Sequence, residues 1–113
     1  VPCEGRIAKM LHRRGQFALA FKKDIDKDNE RNYILIDHRG ERLLLVQIAG
    51  FLARRIIAYV KEDAHVNRGE AVGMIAFGSR VDIYFPNNYE TVVKLHQRVK
   101  AGITPLAQKK GEI

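Results

Sequence analysis

The chain has 113 residues, 46% of them hydrophobic, and its 20 Lys and Arg residues outnumber its 13 Asp and Glu residues to give a formal charge of +7. This length predicts one domain, residues 1–113, with a modest core, and no apolar run approaches the ~20 residues that span a bilayer. The single cysteine, Cys3, excludes an internal disulfide and a cysteine metal cluster within one chain.

Short runs rich in Ile, Val, Leu, Phe and Tyr, separated by turn residues, predict strands along most of the chain. In chain order they are residues 5–11, 16–21, 32–37, 42–49, 55–60, 71–77 and 80–85. In the last run, Val81, Ile83 and Phe85 occupy alternate positions and are expected to share one face. Seven strands at this spacing predict a mainly β fold, a sandwich or barrel, without a long amphipathic helix.

A weak internal repeat supports this fold class. A pattern in the first copy recurs 33 residues later: Val60, Lys61, Val66 and Gly69 correspond to Val93, Lys94, Val99 and Gly102. Each copy predicts a strand end, a turn and a new strand, as in the barrel-sandwich hybrid of lipoyl and biotinyl carrier domains. The repeat therefore supplies an alternative function, a non-catalytic carrier or interaction domain, although no Met-Lys or Asp-Lys-Ala hairpin tip occurs here.

The dipeptide Gly78-Ser79 lies between the last two predicted strands. Glycine has no Cβ, so its carbonyl is open to attack and its backbone adopts a strained turn at low cost. Attack by the Ser79 hydroxyl on the Gly78 carbonyl would turn the amide into an ester, and elimination and hydrolysis would leave a pyruvoyl group at residue 79. Gly-Ser is also a common turn pair, so the dipeptide by itself does not establish this chemistry.

The sequence around the dipeptide resembles the self-cleavage region of phosphatidylserine decarboxylases, in the short form that carries Phe-Gly-Ser. This segment runs from Gly69 to Pro86. Further segments that resemble the family, in the same order, are Val1–Arg6, Arg14–Phe17, Asn29–Asn32, Val46–Gly50 and Ala53–Ile56. The resemblance covers nearly the whole chain and identifies it as the C-terminal part of a family proenzyme.

The resemblance implies a self-cleaving enzyme with a covalent pyruvoyl cofactor. Cleavage after Gly78 would give a β-chain part, residues 1–78, and an α chain, residues 79–113, that begins with the pyruvoyl group from Ser79. The implied reaction decarboxylates phosphatidylserine to phosphatidylethanolamine in phospholipid biosynthesis, without a metal. In the family, the aspartate and histidine that activate the serine precede the segment that Val1 begins, so we expect this chain alone to remain uncut and inactive.

The partners follow from the resemblance and from the charge. Phosphatidylserine is the expected substrate, an anionic membrane surface suits the net positive charge, and the family's N-terminal part is the expected protein partner. Nucleic acid is disfavoured because Phe77, Tyr84 and Phe85 lie in apolar strands rather than among the arginines. A homodimer is left open, and the expected location is peripheral, on the cytoplasmic side of the cell membrane.

Other candidate groups are expected to be structural. Asp82 lies three residues after Ser79, yet a structural role is favoured for it. His12, His38, His65 and His96 lack the spacing of a helical metal pair and are expected in turns or at the surface. Cys3 is expected to be a small packed residue.

Overall fold

The protein is described here by a computed structural model, which covers residues 1–13, 30–50, 56–75 and 79–111. These ranges contain strands and turns but no helices. The strands are β1 (Gly5–Arg13), β2 (Arg31–His38), β3 (Glu41–Ala49), β4 (Ile56–Ala58), β5 (His65–Val66), β6 (Gly73–Ile75), β7 (Ser79–Tyr84), β8 (Tyr89–Thr91) and β9 (Ala107–Lys109). The described residues therefore contain no helix that is long and apolar enough to cross a membrane.

The mainly β prediction is confirmed. Strands β1, β2, β3 and β7 occur where the sequence predicts them, while β4 and β6 cover part of the predicted runs 55–60 and 71–77. Residues 55, 76 and 77 of these runs lie outside the described residues. The predicted strand 16–21 lies outside the described residues. Three strands were not predicted, β5, β8 and β9, because segments of two or three residues that include Glu, Gln, His and Lys show no apolar alternation.

The main sheet has five antiparallel strands in the order β5-β1-β2-β3-β7. Its centre is the ladder of β2 on β3, which runs without a break from Arg31↔Ile48 to His38↔Glu41. Side chains of directly opposed residues share a face, so Ile34 and Ile36 on β2 lie beside Leu45 and Leu43 on β3. This inner face carries the hydrophobic core.

Seven buried residues form the core cluster: Ile7, Ile34, Ile36, Leu43, Leu45, Val66 and Val72. Ile83 and Phe85 pack against this cluster, which joins the segment after Ser79 to the core of the segment before it. The face that the sequence predicts for Val81, Ile83 and Phe85 is confirmed, because all three line one cavity against the inner side of the sheet.

The internal repeat is visible in the backbone. Asp63 and His96, which are 33 residues apart, both adopt positive φ, of 69° and 66°, and Gly69 and Gly102 have φ of 82° and 75°. The turn hydrogen bonds recur at the same offset, from Ala64 N to Lys61 O (3.2 Å) and from Gln97 N to Lys94 O (3.0 Å).

Each copy is closed by a short antiparallel strand pair, β4 with β6 in the first and β8 with β9 in the second. The two copies differ in one respect, since residues 98–99 form no strand where the first copy has β5. The copies approach each other at their glycines, where a Cβ on Gly69 would lie 3.6 Å from the Gly102 Cα. The predicted turn is therefore present in both copies, whereas the new strand that should follow it forms only in the first.

The core predicts a simple contrast between two neighbouring strands. Ile34 is fully buried on β2, whereas Leu11 on β1 is 57% exposed. Ile34→Ala should lower the free energy of unfolding by about 2–5 kcal/mol because it leaves a cavity in the core. Leu11→Ala, the matched control, should change it by less than about 0.5 kcal/mol. Urea unfolding followed by circular dichroism measures both, and equal losses would contradict the described packing.

Candidate functional site

The candidate site is centred on the start of β7. Ser79 is the first residue of this strand and its backbone is opposed to Ala49, the last residue of β3. Gly78 and the predicted turn around it lie outside the described residues. From Ala49↔Ser79 the ladder continues to Leu44↔Tyr84, so the chain is fixed to the sheet from Ser79 onward.

β7 is an edge strand in the described part of the chain, with β3 on one side and no strand on the other. The backbone groups on its outer side are therefore available to another chain segment or to solvent. A junction at the first residue of such a strand combines a fixed position with access from one side. These are the two properties that a backbone bond needs if it is to be cut and its product is then to meet a substrate.

A large apolar cavity begins close to this junction. It has a volume of about 750 Å³ and lies between the inner face of the sheet and the segments 68–73 and 99–107. Leu43, Leu45, Ile83 and Phe85 form its sheet wall. Along β7 the lining begins at Val81, two residues after Ser79. The cavity thus offers an apolar volume that extends away from the junction.

A buried polar pair lies at the same level of the sheet as Val81. Asn32 Nδ2 donates a hydrogen bond of 3.1 Å to Gln47 Oε1, and both residues are at least 94% buried. Gln47 is opposed to Val81 across β3 and β7 and lines the cavity. The sequence analysis missed this pair. Its signal was an amide at an inner position of each alternating strand, Asn32 before Ile34 and Gln47 after Leu45.

Asp82 has the structural role that the sequence favours. Its carboxylate accepts hydrogen bonds from Arg80 Nε at 2.8 Å and from Arg80 Nη2 at 3.1 Å. Two parallel bonds between a guanidinium and a carboxylate fix both groups. Asp82 is therefore held by its neighbour on the same strand.

Two histidines have described hydrogen bonds, both to residues outside β7, and one of them, His38, also lines the apolar cavity. His12 contacts the Glu30 carboxylate, and His38 Nδ1 lies 2.6 Å from the Glu4 carbonyl oxygen. His65 is on β5, at the edge of the sheet opposite to β7. His96 is in an exposed turn. Within the described ranges there is also no group of three His, Cys, Asp or Glu side chains suited to a metal ion.

A polar cluster around Glu41 connects the sheet to the last two strands. The Glu41 carboxylate accepts hydrogen bonds from Asn88 Nδ2 at 3.1 Å and Tyr89 OH at 3.4 Å, and Lys109 Nζ lies at 3.1 Å. These hydrogen bonds lower the pKa of Glu41. The bond from Lys109 is the largest cause, and the bond from Asn88 is the second. The cluster joins a residue before the Gly78-Ser79 junction to three residues after it.

Cys3 is half-buried and packs against the core cluster, as the sequence predicts. Burial is the main cause that raises the pKa of its thiol. The thiolate is the reactive form of cysteine, so a raised pKa reduces the reactivity of Cys3 at neutral pH.

These features define a mainly β domain with a Gly-Ser junction at an edge strand beside an apolar cavity. The model of the phosphatidylserine decarboxylase family matches residues 1–107. The chain belongs to the phosphatidylserine decarboxylase family. No solved structure matches it.

Relatives come from bacteria and archaea. A phosphatidylserine decarboxylase proenzyme of Pelagibacter ubique is 48% identical over 96% of this chain and 50% of its own length. One from Carboxydothermus hydrogenoformans is 43% identical over 97% of this chain and 52% of its length. A putative archaetidylserine decarboxylase proenzyme of Methanocaldococcus jannaschii is 42% identical over 96% of this chain and 53% of its own length. The chain thus spans about half the length of these relatives.

The Glu41 cluster predicts a pH dependence. Because its pKa is lower in the folded chain, ionised Glu41 contributes stability above its ordinary pKa of about 4.3, and this contribution disappears as the pH falls through the folded-state value. Glu41→Gln should therefore be less stable than the original chain at pH 7, with a difference that shrinks towards pH 3. Urea midpoints across this range measure the effect. A difference independent of pH, or an equal effect of the control Glu90→Gln, would contradict it.

Proposed function

We propose that this chain is part of a pyruvoyl-dependent phosphatidylserine decarboxylase that cleaves itself between Gly78 and Ser79 and converts phosphatidylserine to phosphatidylethanolamine. One observation carries the proposal. The family match spans residues 1–107, and within it Ser79 of the Gly-Ser dipeptide is the first residue of an edge strand that is anchored to the core. Family membership also displaces the alternative of a lipoyl-like carrier domain.

The proposed cleavage uses atoms of Gly78 and Ser79. The Ser79 hydroxyl oxygen adds to the Gly78 carbonyl carbon, and the bond between that carbon and the Ser79 nitrogen breaks to give an ester. Elimination then leaves a carboxylate on Gly78 and a dehydroalanine at position 79. Addition of water and loss of ammonia give the pyruvoyl group. The overall change consumes water, releases ammonia and creates two chains, one that contains residues 1–78 and one that contains residues 79–113.

The described residues around position 79 fit such a group. After cleavage the new chain end would remain on the sheet, because the ladder from Ala49↔Ser79 to Leu44↔Tyr84 does not depend on the cut bond. The outer side of β7 gives access, and the apolar cavity begins two residues away. When present, a pyruvoyl group supplies an electron sink for loss of carbon dioxide, while the protein supplies orientation.

The chain's own residues would then bind and orient the lipid. Hydrocarbon fits the cavity wall of Leu43, Leu45 and Ile83, where burial of each CH₂ group is worth about 0.8 kcal/mol. The hydrogen bond from Asn32 fixes the Gln47 amide at the cavity surface, where it is one of the polar groups available to the glycerol or head-group region. These roles hold for a phosphatidylserine or an ether-linked analogue, since both carry long hydrocarbon chains.

The general base is proposed to come from the other half of the proenzyme. A serine hydroxyl is a weak nucleophile at neutral pH without an adjacent base, and the histidines with described hydrogen bonds make them elsewhere. The open edge of β7 is the place where that half could approach Ser79. Arg31 supports a partner at this end of the sheet, because its Nε is buried without an acceptor in the described part of the chain.

We also propose a peripheral location on the cytoplasmic side of the cell membrane, where an anionic surface attracts a chain with a net charge of +7. The substrate is itself a component of that surface.

Removal of the nucleophile tests the proposal. In the full-length proenzyme, Ser79→Ala should neither split nor decarboxylate phosphatidylserine, because it lacks both the attacking oxygen and the atoms of the pyruvoyl ketone. Thr91→Ala, which removes a hydroxyl from β8, is the matched control and should behave as the unmodified protein. Denaturing gels and release of labelled carbon dioxide measure the two steps. Release at the unmodified rate by Ser79→Ala would show that Ser79 is not the source of the cofactor.

The origin of the base predicts a difference between the 113-residue chain and the proenzyme. Expressed alone, the chain should stay uncut, because a positioned general base typically contributes a factor of ~10²–10⁴ that it lacks. Co-expression with the remaining half of the proenzyme should restore cleavage. Intact mass spectrometry distinguishes the two states. Cleavage after Gly78 in the isolated chain would place the base inside these 113 residues.

A further inference from the structure

Two turns in the second copy of the repeat expose apolar side chains to an unusual degree. Leu95 is 88% exposed in the turn at residues 95–96, and Ile103 is 75% exposed at the end of the turn at residues 101–103. Val99, between them, is 51% exposed. Exposure of large aliphatic side chains to water is unfavourable. Their combined exposure therefore indicates a surface that binds a partner or a membrane.

The same segment is uniformly basic. No Asp or Glu occurs between Glu90 and Glu112, whereas Lys94, Arg98 and Lys100 lie among the exposed apolar residues and Lys110 follows β9. In the described part of the chain, none of these four cations forms an ion pair. Lys109 is not included, because it pairs with Glu41. Residues 92–103 are called the basic-apolar surface below.

The chemistry of this surface selects one partner. A protein interface would require its apolar centre to be depleted of lysine, yet Lys94 and Lys100 adjoin Leu95 and Val99 in sequence. An anionic bilayer satisfies both features at once, because aliphatic side chains enter the acyl region while lysines and arginines remain with the phosphates. We propose that the basic-apolar surface docks this protein on an anionic lipid bilayer, with Leu95 and Ile103 inserted.

The basic-apolar surface is continuous with the apolar cavity. Val99, Lys100 and Ile103 belong to both, since the segment 99–107 forms the wall opposite the sheet. Docking by this surface would bring the cavity to the membrane, so that a lipid reaches the start of β7 without crossing water. This last step rests on the proposed function; the docking itself does not, because any anionic bilayer supplies the same attraction.

The absence of tryptophan from the chain allows a direct test. Leu95→Trp places a single fluorophore at the tip of the surface, and Leu11→Trp places one at an exposed site on β1 as the control. With vesicles of phosphatidylcholine and phosphatidylglycerol, emission of Leu95→Trp should move to shorter wavelength and be quenched by brominated acyl chains. Leu11→Trp should not change. Equal responses of both variants, or no response of Leu95→Trp, would overturn the proposal.

Charge removal tests the electrostatic part. The triple variant Lys94→Gln, Arg98→Gln, Lys100→Gln should bind these vesicles about fivefold more weakly for each cation removed. The control replaces three exposed cations elsewhere, Lys9, Arg42 and Lys61, by Gln. Lys61 is the counterpart of Lys94 in the first copy of the repeat. Unmodified protein should lose affinity at high salt. Equal losses in both triple variants would mean that net charge alone, rather than this surface, governs binding and would overturn the proposal.

Two further outcomes keep docking separate from catalysis. Emission of Leu95→Trp at short wavelength before vesicles are added, rising with protein concentration, would show that a second copy covers the surface and would overturn the proposal. In the full-length proenzyme, the double variant Lys94→Gln, Arg98→Gln, which leaves the cavity residue Lys100 in place, should lose decarboxylation on vesicles but keep it on detergent-dispersed phosphatidylserine. Vesicle binding through this surface by a full-length proenzyme that shows no decarboxylation, even of detergent-dispersed phosphatidylserine, would support docking while rejecting the proposed function.

Discussion

The ladder between β3 and β7 is the interaction on which the rest of the structure depends. β3 pairs with β2 on its other side, so strands β2, β1 and β5 are joined to β7 through it. The ladder places Ser79 opposite Ala49 and orients Ile83 towards the core cluster. If the chain is cut after Gly78, the same backbone hydrogen bonds become the connection between two molecules.

The sequence of β3 explains why it can hold this position. Leu43 and Leu45 are buried on the inner face, and Val46 and Ile48 are buried on the other face as well. A strand that is buried on both faces is a central strand, and the cost of separating it from its neighbours is high. Glu41, at its beginning, adds polar contacts to the strands after the junction. Both ends of β3 thus contribute to joining the two parts of the chain.

The long strands of the fold were predictable because their residues alternate. Ile34 and Ile36, like Leu43 and Leu45, have the period of two that a half-buried strand requires. β8 and β9 were not predictable, since three residues are too few to show a period and their pairing depends on residues about twenty positions apart. The repeat was visible, because Gly69 and Gly102 occupy the left-handed conformation that favours glycine.

At the site, the Gly78-Ser79 dipeptide and its resemblance to the family could be recognised in the sequence. The elements that surround the dipeptide in the fold could not be predicted. That β7 lies at an edge depends on the strand order, which no local pattern specifies. The contacts of Glu41 with Asn88 and Lys109 join residues 47 and 68 positions apart, so only the folded chain reveals them. Burial of Gln47 could have been predicted, because the sequence shows an amide at an inner position of an apolar strand.

Native mass spectrometry of the full-length protein shows whether the two parts of the chain stay joined after cleavage. We expect one complex under native conditions that separates into two chains under denaturing conditions, the smaller beginning at position 79 with a pyruvoyl group and without a free amine. The complex should persist because the β3 and β7 ladder survives the cut. A single uncut chain, a cut at another position, or two chains that separate under native conditions would contradict this expectation.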